Sequence, residues 1–185
     1  MNTASPFIEI LDTTLRDGEQ TSEVSFSTAE KMTITRLLLN DLHVPRIEVA
    51  SARVSEGERR TVERICAWAK GIGRLEAIEV LGFADGGRSV EWIRSTGGRV
   101  INLLSKGSER HCRLQLGQTP EEHFALIAAE VERAVQAGLT ELVDRGTRMV
   151  IEELGLPYDE AKRLLLMHGS VKRAVDAYNG IECED

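Results

Sequence analysis

Nine consecutive residues, Asp12-Thr13-Thr14-Leu15-Arg16-Asp17-Gly18-Glu19-Gln20, carry five ionisable or amide side chains. They follow an apolar run, Phe7-Ile8-Glu9-Ile10-Leu11, that reads as a buried strand, so the polar cluster falls where a strand ends and a loop begins. In parallel α/β proteins that end of a strand is where chemistry is built. Arg16 offers a cation for developing negative charge, and Asp17 a hard oxygen ligand for a divalent ion. Gly18 is expected to let the backbone turn tightly, so that both side chains point into one pocket. The plainer alternative is a surface turn with an exposed Arg–Asp pair, an arrangement of little energetic value.

The elements that must position this loop alternate. Ser27 or Thr28 caps a helix running to about Asn40, with Glu30 in its first turn and Met32, Ile34, Leu37, Leu38 and Leu39 on a sheet-facing side. Pro45 ends that pattern, and Ile47-Glu48-Val49-Ala50 reads as a short strand whose alternation turns Glu48 inward. A helix over Glu56–Lys70, a strand over Ala77–Leu81, a helix around Ser89–Ser95 and a strand over Arg99–Leu104 follow. Thr119, with Pro120 at the first helical position, starts a helix expected to reach about Gln136 and stop at Gly138. Strand and helix alternating four times imply βα units and a parallel sheet.

Composition bounds the function. The chain has 185 residues and a net charge of −7, against non-specific nucleic-acid binding. It has neither a membrane-length apolar stretch nor a basic-then-apolar leader pattern, which points to a cytoplasmic protein. Cys66, Cys112 and Cys183 lack metal-type spacing and are expected to be reduced, with Cys66 filling a core. Trp68 and Trp92 read as packing residues. His43 and His168 sit near helix C-termini, and His123 is expected on the surface of a first helical turn. Arg53 meets an anionic substrate or, as the favoured reading, is solvated; Asp85-Gly86-Gly87 binds phosphate only if its amides converge, and otherwise is a plain turn.

Asp-Thr-Thr-Leu-Arg-Asp-Gly-Glu-Gln resembles the first-strand signature of the family of 2-isopropylmalate, homocitrate and citramalate synthases, TIM-barrel enzymes related to 3-hydroxy-3-methylglutaryl-CoA lyase. The likeness continues through Arg46–Val49, Ser51–Glu58, Val80–Phe83 and Gly98–Leu104, is closest to the 2-isopropylmalate synthase branch, and covers about residues 6–139. It implies an α/β fold of four parallel βα units of TIM-barrel type, half a barrel, in a synthase-like domain over 1–139. It also implies condensation of acetyl-CoA with a 2-oxo acid, 2-oxoisovalerate in leucine synthesis. By that likeness Asp17 is a metal ligand for Mg²⁺ or Mn²⁺, Arg16 contacts the 2-oxo acid and Gln20 lies beside metal and substrate; the inward alternation of Glu48 suits it to line the site, and His111 matches a family loop position near the site or is a surface loop histidine. The family's His-x-His metal pair has no counterpart among His43, His111, His123 and His168, which predicts inactivity for this chain.

Residues 140–185 depart from that pattern and form a short helical tail. Leu142–Leu156 reads as a helix stopped by glycine, Pro157 opens a second that Gly169 ends, and Ser170 caps a third over Val171–Tyr178. Leu142–Met149 and His168–Val171 resemble the C-terminal tail of N-acetylmuramic acid 6-phosphate etherases, whose catalytic domain is absent. A truncated, recombined or constructed gene would each explain the junction. Beside the synthase reading stand a non-catalytic fragment and an etherase relative. The sheet edges Ile8–Leu11 and Val100–Leu103 imply self-association into a homo-oligomer.

Overall fold

Local chemistry starts most of the helices. Ser27 and Glu30 form a reciprocal capping box that opens α1 (Thr28–Arg36), and Ser55 accepts from the Glu58 amide to open α2 (Glu56–Gly71). A second box, Thr119 with Glu122, opens α5 (Pro120–Gln136). The computed structural model describes residues 9–141, 149–168 and 171–180. The chain divides into two compact units, Met1–Leu139 and Thr140–Asp185.

In the first unit, β1 (Leu11–Asp12), β2 (Arg46–Ser51), β3 (Ile78–Phe83) and β4 (Val100–Leu104) lie parallel in chain order. Leu11 and Asp12 register with Arg46 and Ile47, and Glu48 with Glu79. Both faces of β2 and β3 are buried, as a parallel sheet covered on each side requires. Helices α2 and α3 (Arg88–Ser95) cover one face through Val62, Ile65, Cys66, Ala69, Val90 and Ile93. Burial pushes the Cys66 thiol up to about 12, so it stays protonated at neutral pH as core filler. Gly82 is a close-approach position: a Cβ there would come within 2.6 Å of the Ile101 Cδ1 atom.

Several boundaries differ from expectation. Phe7 and Ile8 lie outside the described residues, and β1 is two residues long and includes Asp12. α1 does not run straight to Asn40; it widens after Arg36 into a π turn, Leu37–Asp41, closed by His43 at φ 54°. The connection after β4 holds an unanticipated helix, α4, Glu109–His111 widening into a π turn over Cys112–Leu116. Its widening buries Cys112.

The second unit opens with β5 (Thr140–Glu141), where only helix was expected. The anticipated helix over Leu142–Leu156 is described only for 149–154 (α6), and Gly155, at φ 67°, ends it as expected. α7 (Tyr158–His168) starts on the Pro157 carbonyl, and α8 is Val171–Tyr178; Gly169 and Ser170 lie outside the described residues. Val150, Ala161, Leu165 and Ala174 form its small core. Among the described residues no helix is long and apolar enough to cross a membrane.

Candidate functional site

The signature loop folds around one carbonyl. The amides of Arg16, Asp17 and Gly18 all point at the Thr13 carbonyl oxygen, at 3.1, 2.8 and 3.1 Å, while Leu15 is fully buried and pins the loop to the core. Gly18 is not needed for this turn as expected. It does not adopt positive φ, and a Cβ there would meet only ordinary contacts at 3.8 Å or more. The three converging amides make the turn instead.

Arg16 and Asp17 do not enter a pocket together. Arg16 turns inward and its Nε donates to Oε2 of Glu48, a carboxylate with no solvent exposure. Asp17 stays 60% exposed and accepts from the Arg16 Nη1 at 2.8 Å. The Asn102 amide, one strand further across on β4, donates to the other Glu48 oxygen at 2.6 Å. One buried carboxylate on β2 thus receives a guanidinium from the β1 loop and an amide from β4. The register of β2 on β3 shifts between Glu48 and Ala50, a bulge beside the residue being aimed.

A second carboxylate lies next to the first. Glu79 is fully buried and registers with Glu48, which would set two like charges on one face of the sheet. Each has its own cation: Arg46 donates to Glu79 and also pairs with Glu9 at 3.2 Å. Burial works against the Arg46 charge, but Glu79 and Glu9 outweigh it and hold its pKa above the ordinary value. Arg16–Glu48–Asn102 and Arg46–Glu79–Glu9 are two charge clusters, each built on its own guanidinium.

Of the residues expected at the site, Arg16, Asp17 and Glu48 come together, whereas Gln20 and His111 are exposed and their side chains form no hydrogen bond with that cluster. Ser108 caps the helix that holds His111, accepting from the His111 amide, and the His111 Nδ1 lies 3.0 Å from the same hydroxyl. His123 is not a surface residue but is 5% exposed, because α5 turns it onto the buried stripe with Glu130 and Ala134. It lines a cavity of about 280 Å³ at the ends of β3 and β4, with Phe83, Leu104, Lys106, Leu116 and Leu126. Arg53 is not simply solvated: held at φ 66°, it donates to Asp85 at 2.7 Å. Burial works to raise the Asp85 carboxyl, but the Ser89 amide, the Arg53 guanidinium and the Ser89 hydroxyl outweigh it and hold it below the ordinary value.

The Asp85-Gly86-Gly87 turn is not a plain one. Its Gly86 and Gly87 amides converge, at 3.2 and 2.9 Å, on the buried carboxylate of Glu130, which also accepts from Arg133 at 3.0 Å. The chain's own carboxylate occupies the place an anion would take. Among the described residues no group of three or more His, Cys, Asp or Glu side chains could hold a metal ion. Asp17 alone is one exposed carboxylate, so these residues do not supply the donor set of a divalent cation.

Reading residues singly missed Asn102, Glu79 and Lys31. The first two had a signal: each is a polar side chain inside an apolar strand, and Ile78-Glu79-Val80 repeats the pattern of Ile47-Glu48-Val49. Lys31 had none, since a lysine in the first turns of a helix ordinarily faces water.

Residues 7–155 match the HMGL-like family, a span that runs past Gly138. The chain is 34% identical over 134 residues to 2-isopropylmalate synthase of Syntrophus aciditrophicus, which covers 72% of this chain and 26% of that protein. It is 32% identical over 198 aligned residues to homocitrate synthase AksA of Methanopyrus kandleri, covering 95% of this chain and 48% of the relative. Over 44 residues the chain is 73% identical to N-acetylmuramic acid 6-phosphate etherase of Bacteroides fragilis, 24% of this chain and 16% of the etherase. The chain spans less than half the length of each of these curated relatives.

Proposed function

Because the chain belongs to the HMGL-like family, we propose that it carries the first-strand portion of a site condensing an acyl thioester with a 2-oxo acid. The substrates proposed are acetyl-CoA and 2-oxoisovalerate, as in the 2-isopropylmalate synthases it resembles, and the setting is cytoplasmic. Residues 1–139 are proposed as its synthase-like domain, and 140–185, which opens with β5, as an appended tail. The observation that supports this reading is Arg16 held between a buried carboxylate and the strand ends.

A guanidinium has five N–H donors, and Glu48 and Asp17 take two of them. The remainder are available to the carboxylate of a 2-oxo acid and to the alkoxide that forms when its ketone is attacked. Glu48, itself held by the Asn102 amide, orients that guanidinium. Gln20, at the end of a short 3-10 helix, and His111, in α4, are both exposed and are proposed to contact substrate. The relatives' divalent metal would polarise the ketone; Asp17 is its proposed ligand here, and the described residues hold no donor set to join it. The etherase reading rests on 44 residues alone.

Thiol release from acetyl-CoA, measured with Mn²⁺ and a series of 2-oxo acids, tests this division. No turnover above the uncatalysed background is expected for the chain as it stands. Metal-dependent release that disappears in Asp17→Ala would show that the chain holds a whole site.

A further inference from the structure

We propose that Lys31 is the positioning residue of the signature loop, its buried ammonium holding the turn after Asp17 so that Arg16 reaches Glu48. Lys31 lies on α1, and its side chain is 2% exposed. An ammonium is strongly hydrated, and its burial is unfavourable unless carboxylates replace the lost water. Two do so: Glu19 Oε2 at 2.7 Å and Glu58 Oε1 at 2.6 Å.

The two carboxylates belong to different bodies. Glu58 is in the first turn of α2, and α1 and α2 are tied beside it by a 2.7 Å hydrogen bond between the Thr28 and Thr61 hydroxyls. Glu19 sits inside the loop, between Asp17 and Gln20. Its other oxygen accepts from the Phe26 amide at 2.9 Å, so both of its oxygens are committed. Lys31 therefore clamps the loop to a two-helix platform. Without that clamp, the loop keeps the Thr13 carbonyl turn, Leu15, the Asp12–Thr14 hydrogen bonds and the Phe26–Glu19 bond, none of which ties it to α2.

The inference rests on the functional reading only in treating Arg16 as a substrate contact, and its test needs no substrate. Arg16 and Arg46 each donate Nε–H to a buried carboxylate, Glu48 and Glu79, but only Arg16 is on the loop. The Nε–Hε signals of the ¹⁵N-labelled full chain thus provide a reporter and an internal control. In Lys31→Met, exchange of the Arg16 Hε with water is expected to rise about tenfold or more while that of Arg46 is unchanged, as for a local opening. Lys31→Arg, which keeps a cation, is expected to restore slow exchange at Arg16. Unchanged exchange at Arg16 in a folded Lys31→Met would overturn the proposal. Should that variant lose both signals by unfolding, Glu19→Gln decides, because it leaves the Lys31–Glu58 pair in place. Selective acceleration at Arg16 then supports the clamp, and unchanged exchange refutes it. A selective effect in a chain that binds no 2-oxo acid would leave the clamp standing and remove the functional reading.

Discussion

Glu48→Ala is expected to lower folding stability by about 3 kcal/mol, the low end of what removing one partner from a buried ion pair costs. The carboxylate is fully buried, and its loss strands the Arg16 guanidinium and the Asn102 amide that both point at it. The 18% exposure of Arg16 lets water reach part of the stranded charge, which places the effect at that low end. Urea denaturation of parent and variant reads the difference directly, and a loss under about 1 kcal/mol at unchanged m would contradict the geometry. The triple replacement Glu48→Leu, Arg16→Met, Asn102→Leu is expected to recover much of the stability, since apolar groups can replace a buried pair at little net cost. That recovery would show that the cluster is retained for what Arg16 meets rather than for folding.

Glu130→Ala is expected to destabilise the chain by about 1.5 kcal/mol, the low end of the range for hydrogen bonds to a charged group, because water can reach the donors it leaves. The variant strands the Gly86 and Gly87 amides and frees Arg133 from its partner. It also empties a concave pair of amides that suits an anion. Sulfate should consequently stabilise the variant more than it stabilises the parent, compared with chloride at equal ionic strength. Equal sulfate effects on both, or no loss of stability, would refute the description of this turn as an internally occupied anion site.

The parallel βα order, the two capping boxes and the buried stripe of α2 could be read along the chain because each is encoded by neighbours three or four residues apart. Glu48 was legible as an inward residue from its alternation with Ile47 and Val49. Its partners were not, because Arg16 and Asn102 come from other strands and no local period specifies a pairing across the sheet. The same holds for Glu130, which meets the Gly86-Gly87 turn from α5, and for Lys31, whose burial depends on where Glu19 and Glu58 converge. His123 was legible in principle: its spacing to Glu130 and Ala134 follows one helical stripe, outweighed in the reading by its first-turn position. The π turns after α1 and within α4 leave no mark in composition, because packing sets them. Barrel ancestry came from the resemblance of one nine-residue loop and the strands behind it, which the match over residues 7–155 supports.

The claim on which the account depends is that Arg16, oriented by Glu48 and Asn102, is the anchor of a 2-oxo acid. Its most direct test is a titration of the ¹⁵N-labelled chain with 2-oxoisovalerate, followed at the arginine Nε–Hε signals. The account predicts a saturable shift at Arg16, absent at Arg46 and lost from the spectrum's response when Glu48 is replaced by glutamine. Equal small shifts at both arginines, or none at Arg16 up to saturating acid, would contradict it.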